Sequence, residues 1–331
     1  MTDFWHDQPR LHVALESVAA LVEKTVRTET FPLAEEVAEL AASNGKLLRP
    51  AFLLIGSGFG PKADEERVRA LAAAVEILHV STLIHDDVID EAELRRGRPT
   101  LHTRFGTKEA VLAGDWLLTR AFLLSAASSD PDNARALARV IAAICASEIR
   151  QDLGKWSYTT SVRSYLRKIA GKTAALFSLS LQAGAQEAKA PRPVAERLRR
   201  AGYDIGMAFQ IIDDILDFES SEGVMRKPVG KDIAEGLCTL PLVFALRRDE
   251  AGMGRLLAKV PRPGHAAAAN VAAKAIRDVI TRCVELGGID DARSEAARFT
   301  ERAHREIARL PRCKARDELA ALGERLLRRE Y

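Results

Sequence analysis

Apolar residues recur every three or four positions along most of this chain, the spacing that places them on one face of an α-helix. Gly and Pro separate most of the periodic stretches. No stretch shows the alternation and β-branched enrichment of a strand. The pattern predicts an all-α fold, a helical bundle around a central cavity, formed as a single domain by residues 1–331. The predicted helices lie at about 12–28, 33–43, 50–57, 64–91, 108–128, 133–153, 162–185, 193–219, 233–247, 267–286, 291–309 and 314–329.

Two acidic clusters of the same form interrupt this apolar pattern. The sequence reads Asp-Asp-Val-Ile-Asp at 86–90 and Asp-Asp-Ile-Leu-Asp at 213–217. The first and last aspartates of each cluster are four residues apart, so on a helix their carboxylates lie on one face. One such cluster is typical of a solvated acidic helix face. Two of them, each beside a strongly apolar stretch where desolvating a carboxylate is costly, favour a functional site.

Paired carboxylates on one helix face suit magnesium. Mg²⁺ prefers oxygen ligands, is usually held by one or two carboxylates, and completes its coordination with water and phosphate oxygens. Two such pairs facing each other across a cavity would hold a diphosphate through several metal ions. We therefore expect Mg²⁺ as the cofactor and a diphosphate as part of the substrate.

Basic residues near both clusters supply further positive charge. Arg95 and Arg96 follow the first cluster, and Lys227 and Lys231 follow the second. Guanidinium groups bind phosphate oxygens in bidentate fashion. Any one of these residues is equally well explained as an exposed charge at the end of a loop, but together with two aspartate clusters they indicate a diphosphate site. The other candidates are Lys46, Arg49, Lys172 and Thr173.

Composition and charge narrow the class of protein. The 331 residues are 47% hydrophobic and 29% charged, which allows a sizeable core, and the formal net charge of +3 is too small to indicate a nucleic-acid partner. The four cysteines have neither CxxC spacing nor a close sequence partner, so neither a zinc site nor a disulfide framework is indicated. Without a leader-like segment or a long uninterrupted apolar run, we expect a cytoplasmic protein that is neither secreted nor membrane-spanning.

The order and spacing of these motifs from about residue 40 to residue 245 resemble those of the trans-type polyprenyl diphosphate synthases, most closely the long-chain heptaprenyl and octaprenyl enzymes. The resemblance implies an isoprenoid-synthase-type bundle and an enzyme that condenses isopentenyl diphosphate head-to-tail with an allylic diphosphate. The shared landmarks are the segments 45–50, 86–97, 114–115, 172–174, 209–214, 227–232 and 239–241, together with His79, Glu148 and Gln151.

The resemblance also implies roles for individual residues. The diphosphate of isopentenyl diphosphate is expected to bind to Gly45, Lys46, Arg49, His79 and Arg96. The allylic diphosphate is expected to bind to Arg95, Lys172, Thr173, Gln210 and Lys227. About three Mg²⁺ ions are expected, with Asp86, Asp90 and Asp213 as direct ligands and with Asp87, Asp214 and Asp217 acting directly or through water. The residues expected to carry the catalysis are Asp86, Asp90, Arg95, Lys172, Asp213 and Lys227.

Two positions depart from the family pattern. Leu237 stands where the family commonly has Lys, so one phosphate contact is absent or supplied by Lys231. Asn44 stands where the first of two glycines is usual, a milder change because Asn tolerates left-handed backbone geometry. The polar stretch 219–231, which follows the second cluster, is expected to form a mobile lid.

Product length is expected to depend on the residues that precede the first cluster on its helix. Ser81 and Thr82, five and four residues before Asp86, are small, and Leu78 continues the same face. In this family large aromatic residues at these two positions close the cavity, so small ones indicate a longer product of about C30–C50. The alternative explanation of the small residues is ordinary helix packing.

Several alternatives stay open at this point. A farnesyl or geranylgeranyl diphosphate synthase would differ only in the depth of its tunnel. A terpene cyclase is disfavoured by the basic residues for a second substrate, and a non-catalytic subunit of a heteromeric synthase by the two intact aspartate clusters. The resemblance further implies a homodimer that contacts membranes transiently when its hydrophobic product is released.

Overall fold

A computed structural model describes residues 3–28, 33–42, 45–95, 97–128, 131–219, 229–262 and 269–328. A 3-10 helix, Asp3–Trp5, precedes α1, and a π-helical turn, Ala170–Ala174, joins α8 to α9. The strands β1 (Leu94–Arg95) and β2 (Arg98–Pro99) form a short antiparallel hairpin. The helices are α1 (Pro9–Val26), α2 (Ala34–Ala42), α3 (Leu48–Ser57), α4 (Glu65–Ile89), α5 (Leu101–Phe105), α6 (Thr107–Ser128), α7 (Pro131–Leu153), α8 (Val162–Ile169), α9 (Ala175–Glu187), α10 (Arg192–Glu219), α11 (Lys231–Ala234), α12 (Leu240–Arg248), α13 (Glu250–Leu257), α14 (Ala269–Glu285), α15 (Gly288–Ala308) and α16 (Lys314–Arg328).

The predicted all-α fold is confirmed. The helix predicted at 64–91 corresponds to α4, which begins after Asp64, whose carboxylate accepts hydrogen bonds from the N–H groups of Glu66 and Arg67. The sequence pattern does not predict the hairpin, because two residues per strand carry no periodic signal. Its turn contains Gly97 at φ 78°, a left-handed conformation that glycine adopts without strain.

The helix predicted at 162–185 is interrupted. α8 ends at Ile169, and the π-helical turn follows before α9 begins. Within this turn Gly171 lies against α7, where an added Cβ would be 2.0 Å from Ser147 Oγ and 2.8 Å from the carbonyl oxygen of Ala143. A larger residue would therefore push the two segments apart. The hydrophobic period does not reveal such a local widening of the helix, which is common at functional sites.

α4 and α9 form the centre of the bundle. α4 packs against α6 and α3, and α9 packs between α3 and α10. The backbones of α3 and α9 touch, since a Cβ on Gly184 would lie 2.0 Å from the carbonyl oxygen of Leu53. Within the described ranges α4 is long and apolar enough to cross a membrane by length and composition alone, but 67% of its apolar window is buried inside the bundle, as in a core helix.

Buried apolar side chains form two clusters that meet along α10. The cluster around α1, α3, α4 and α6 includes Ile205, and the cluster around α12, α14 and α15 includes Ile211. α10 is also tied to α15 by an ion pair between the buried Asp204 and Arg302, at 3.0 Å. The helix that carries the second aspartate cluster is thus fixed from both sides. That residues 1–331 form one domain stays a prediction.

Candidate active site

Both aspartate clusters lie near the ends of helices. The first occupies the last turn of α4, where Asp90 is the C-cap residue and its N–H donates to the carbonyl oxygen of Asp86 at 2.8 Å. The second lies in the last turns of α10, which ends at Glu219. The helical geometry that places the first and last aspartate of a cluster on one face is therefore present at both sites.

Lys172 brings a cation to the first cluster. Its Nζ lies 2.9 Å from Oε1 of Glu148 and 4.0 Å from Oδ2 of Asp86, and the amide of Gln151 donates to Glu148 at 3.4 Å. Burial raises the pKa of the Asp86 carboxyl to about 6, although the charge of Lys172 acts in the opposite direction. Asp86 is thus a carboxylate whose charge the protein compensates only in part.

The second cluster is joined to the same π-helical turn by a chain of hydrogen bonds. The Thr173 hydroxyl donates to Gln210 at 2.7 Å, and the Gln210 amide donates to Oδ1 of Asp214 at 2.8 Å. The buried Tyr165 hydroxyl donates to Oδ2 of Asp214 at 2.6 Å. Burial raises the pKa of Asp214, and the hydrogen bond from Tyr165 opposes this. Because Lys172 and Thr173 are adjacent, this turn touches both clusters.

Asp87 orients Arg95. Both oxygens of the buried Asp87 carboxylate accept from Nε of Arg95, at 2.7 and 2.9 Å. Burial raises the pKa of Asp87, although the guanidinium opposes this shift. Arg95 belongs to β1, so the hairpin holds this guanidinium beside the first cluster. Arg96, the next predicted phosphate ligand, lies outside the described residues.

The other aspartates of the second cluster differ in environment. Asp213 is exposed. The carboxylate of Asp217 accepts from the N–H groups of Lys231 and Asp232, at 3.1 and 3.0 Å, and so caps the start of α11. Lys231 Nζ pairs with Glu235 at 3.2 Å. Lys227 and most of the predicted lid at 219–231 lie outside the described residues.

A cavity of about 860 Å³ opens beside the first cluster. It lies between α2, α4, the hairpin and α5, and Gly45, His79, Asp87 and Arg95 are among the residues that line it. Residues from both predicted diphosphate-binding sites, that for isopentenyl diphosphate and that for the allylic diphosphate, therefore line the same cavity. An ion pair at 3.4 Å between Glu36 and Arg104, which also line the cavity, links α2 to α5.

Lys46 and Arg49 flank the start of α3, close in sequence to the cavity residue Gly45. The ammonium of Lys46 lies 4.8 Å from the centroid of the Phe4 ring, and the guanidinium carbon of Arg49 lies 5.2 Å from that of Phe177. Burial lowers the pKa of Arg49 to about 10, against the effect of the Glu76 charge. Arg49 is therefore still a cation at neutral pH.

Sequence reasoning assigned no role to three side chains of this site. Lys155 Nζ lies 3.3 Å from Oδ1 of Asp90, Tyr165 binds Asp214, and Glu148 binds Lys172. Glu148 is one of the family landmarks, without an assigned role. No sequence signal pointed to Tyr165, because its partner Asp214 is 49 residues away along the chain.

The comparisons with known proteins identify the family. The sequence profile of the polyprenyl synthetases matches residues 32–279. The chain belongs to the polyprenyl synthetase family. Over 317 residues it is 37% identical to "Heptaprenyl diphosphate synthase component 2" of Geobacillus stearothermophilus, with 96% of each chain covered. The predicted enzyme class, a prenyltransferase that makes prenyl diphosphates, is confirmed.

Solved structures agree with this assignment. The geranylgeranyl pyrophosphate synthase of Lactobacillus brevis superposes with a TM-score of 0.90 at 34% identity, covering 98% of this synthase and 99% of that chain. The polyprenyl synthase of Caulobacter crescentus, complexed with calcium and isoprenyl diphosphate, gives a TM-score of 0.87 at 30% identity, with coverages of 97% and 96%. Because these relatives are named for short and long products alike, membership of the family gives the reaction class and not the chain length.

The donor set of this synthase fits divalent metal ions that are shared with a diphosphate. In the part of the chain that the structure describes, no three His, Cys, Asp or Glu side chains converge on one point. Mg²⁺ needs only one or two carboxylates when phosphate and water complete its shell. Asp86, whose charge is compensated only in part, and the exposed Asp213 meet that need. Both oxygens of Asp87 and of Asp214 are already hydrogen-bonded.

The two positions that were predicted to control product length differ in their surroundings. Ser81 is buried and its hydroxyl donates to the carbonyl oxygen of Gly114 in α6, at 2.8 Å. The side chain of Thr82 is half-buried, and its hydroxyl donates to the carbonyl oxygen of His79 at 2.8 Å. A large residue at position 81 would therefore press on the backbone of α6. A substitution at position 82 avoids this clash, so it tests more directly whether the space beneath the first cluster sets product length.

Proposed function

We propose that this synthase condenses isopentenyl diphosphate with an allylic diphosphate and releases an all-trans polyprenyl diphosphate of about C30–C50. The observation that carries the proposal is the arrangement around the π-helical turn. Lys172 approaches Asp86 there, and Thr173 is linked through Gln210 to Asp214. Carboxylates and cations from both clusters thus surround one region, as a metal-bound diphosphate requires.

In the proposed reaction the site stabilises the negative charge that develops on the leaving diphosphate. Bound Mg²⁺, three ions by prediction, would neutralise phosphate oxygens as a Lewis acid. The proposed ligands are Asp86, Asp90 and Asp213, with Asp87, Asp214 and Asp217 acting on them directly or through water. The ammonium of Lys172 and the guanidinium of Arg95 add charged donors to the allylic diphosphate, because such preformed donors are strongest where charge develops. Thr173 and Gln210 orient that diphosphate, and Lys227 is proposed to join them.

The second substrate is proposed to bind at the cavity between α2, α4, the hairpin and α5. Gly45 and His79 line this cavity, and Lys46, Arg49 and Arg96 are proposed to bind the diphosphate of isopentenyl diphosphate. The double bond of that substrate attacks the allylic cation. The proton that is then lost passes to the departed diphosphate, and an alkene one isoprene unit longer results.

The experiment that tests the proposal uses the purified chain with Mg²⁺, isopentenyl diphosphate and farnesyl diphosphate, with product length read by mass spectrometry. A dominant product of about C30–C50 is expected. A stop at C15 or C20 would overturn the long-chain assignment in favour of a short-chain synthase. If the chain elongates no allylic primer, the proposal that it is active without a partner subunit is wrong.

Thr82→Phe is expected to shorten the product. Thr82 lies one helical turn before Asp86 on the same face of α4, so an aromatic ring there narrows the space beneath the first cluster. The expected result is a shift from about C30–C50 to about C15–C20, measured by mass spectrometry. Thr82→Val, which removes the hydroxyl and keeps the volume, serves as the control and should leave the product unchanged. Wild-type product length from Thr82→Phe would mean that the tunnel does not pass this position.

A homodimer through α6 and α7 is also proposed. These helices carry large apolar side chains that are exposed in the single chain, among them Leu112 at 57%, Leu123 at 59% and Leu153 at 82%. In solution we expect a dimer that the double variant Leu112→Glu with Leu123→Glu dissociates, as measured by light scattering after size exclusion. The control is Val284→Glu, an equally exposed apolar position on α14, which should leave the dimer intact.

A second candidate function is that of one component in a two-component synthase. It is favoured by the name of the Geobacillus stearothermophilus relative, which is called a component of its enzyme. The exposed apolar face of α6 and α7 would then receive a different polypeptide. A wild-type chain that is monomeric and inactive alone would support this candidate, whereas an active homodimer would contradict it.

For location, we propose the cytoplasm, with transient membrane contact at product release. The four cysteines are free thiols, which favours a reducing compartment. A long polyprenyl chain is poorly soluble in water, so its release is favoured where it can enter a lipid phase. Two measurements test this proposal. Cell fractionation should recover the synthase in the soluble fraction, and steady-state assays with added lipid vesicles should show faster turnover.

A further inference from the structure

The N-terminal 3-10 helix, Asp3–Trp5, contacts the turn that carries Lys46. It precedes residue 32, where the match to the family profile begins. Trp5 is completely buried and Phe4 is 5% exposed, so both rings are part of the core although they lie close to the N-terminus. The rings pack edge-to-face with centroids 4.9 Å apart.

Trp5 holds the backbone of the Lys46 turn. Its indole N–H donates to the carbonyl oxygen of Lys46 at 2.9 Å. The next residue, Leu47, has φ 48° and ψ 39°, a left-handed conformation that is strained for a residue with a branched side chain, and it is the N-cap of α3. The hydrogen bond from Trp5 therefore fixes the peptide that enters the strained turn, and with it the direction in which Lys46 leaves the backbone.

Phe4 holds the other end of the same side chain. The Lys46 ammonium lies 4.8 Å from the centroid of the Phe4 ring, and the guanidinium of Arg325, from α16, packs on this ring at 3.8 Å. A ring attracts an ammonium through its quadrupole and takes up no hydrogen-bond acceptor in doing so. Since a lysine side chain loses much rotamer freedom when it is fixed, a ring that restricts it beforehand lowers the cost of binding.

We infer that Phe4 and Trp5 are positioning residues for Lys46, which they hold in the orientation that binds the diphosphate of isopentenyl diphosphate. The inference rests on the proposed role of Lys46. It adds a part of the site that lies outside the family match. The two rings touch no reacting atom and act only through the Lys46 side chain. Their loss should therefore raise the KM for isopentenyl diphosphate and leave the KM for the allylic diphosphate unchanged.

The test is the split between the two substrates in Phe4→Leu and Trp5→Phe. For both variants the KM for isopentenyl diphosphate is expected to rise about 3- to 10-fold, with kcat and the KM for the allylic diphosphate within about 2-fold of wild type. Phe4→Tyr keeps the ring and should restore the wild-type KM. The matched control is Arg10→Gln. It breaks the ion pair between Arg10 of α1 and Glu318 of α16, a contact that does not involve Lys46, so both KM values should stay unchanged.

A double-mutant cycle with Lys46→Met separates positioning from general stability. If the rings act through Lys46, the double variant Phe4→Leu with Lys46→Met should have the same KM for isopentenyl diphosphate as Lys46→Met alone. Additive losses, or an equal rise in both KM values, would overturn the inference while leaving the proposed role of Lys46 intact. An unchanged KM in Lys46→Met itself would overturn that role, and the inference with it. If Phe4→Leu unfolds, Trp5→Phe, which removes the N–H donor and one ring of the indole but keeps an aromatic side chain at this buried position, takes its place in the cycle.

Discussion

Replacing Asp86 with alanine is expected to lower kcat/KM for condensation by about 100- to 1,000-fold. A metal ion at the leaving diphosphate contributes several kcal/mol of charge stabilisation, and each 1.36 kcal/mol corresponds to a factor of ten in rate. Asp86 is the carboxylate of the first cluster whose charge is least compensated by the protein, with Lys172 Nζ at 4.0 Å. The measurements are initial rates at saturating Mg²⁺ and, independently of turnover, Mn²⁺ binding by electron paramagnetic resonance.

The Asp86→Ala variant should keep its fold. Burial raises the folded-state pKa of the Asp86 carboxyl to about 6, above its pKa in the unfolded chain. In metal-free protein the free energy of unfolding therefore falls as the pH rises from the unfolded-state pKa to about 6, because the folded state disfavours the charged form. At pH 7 the thermal midpoint of the variant should equal or exceed that of wild type. Asp132→Ala, at an exposed aspartate on α7, is the control and should leave rate and metal binding unchanged. An Asp86→Ala rate within about 3-fold of wild type would contradict the metal assignment.

Lys172→Met is expected to lower kcat by about 100-fold, the effect of removing one preformed donor from a site of developing charge. The ammonium lies 2.9 Å from Glu148 and near Asp86, on the turn that also links to the second cluster. Its loss should have little effect on the KM for isopentenyl diphosphate, because that diphosphate is proposed to bind to other cations. Steady-state rates with each substrate varied in turn measure both quantities.

Two further variants make the Lys172 result specific. Lys172→Arg keeps the positive charge and should retain more activity than Lys172→Met, though less than wild type, because the guanidinium is larger and planar. Lys274→Met removes an exposed lysine on α14 and should leave kcat unchanged. If Lys172→Met lowered the thermal midpoint with kcat intact, Lys172 would be only the structural partner of Glu148.

The long helices of this synthase were predictable from the sequence. The expected helix at 193–219 corresponds to α10, Arg192–Glu219, because its apolar residues face two packed neighbours and keep the helical period along its whole length. The π-helical turn within the helix predicted at 162–185 was not predictable in this way. One widened turn barely changes the hydrophobic period, and its cause, the close approach of α7 at Gly171, involves residues distant in sequence.

The candidate site shows the same division between local and distant contacts. The face shared by Asp86 and Asp90 follows from four residues of helix geometry. The contacts that distinguish individual site residues join positions 24 residues apart for Lys172 and Glu148, 49 apart for Tyr165 and Asp214, and 41 apart for Trp5 and Lys46. No periodic signal encodes such pairs.

The all-α class, the two carboxylate pairs on helix faces and the membership of the polyprenyl synthetases all follow from the sequence alone. These depend on local backbone geometry and on the order of motifs along the chain. The environment of each carboxylate, by contrast, depends on the folded structure. Both oxygens of Asp87 and of Asp214 accept hydrogen bonds from other side chains, the charge of Asp86 is compensated only in part by Lys172, and Asp213 is exposed. Burial and hydrogen-bond partners are set by how α4, α7, α10 and the π-helical turn pack together, and this packing depends on the whole bundle.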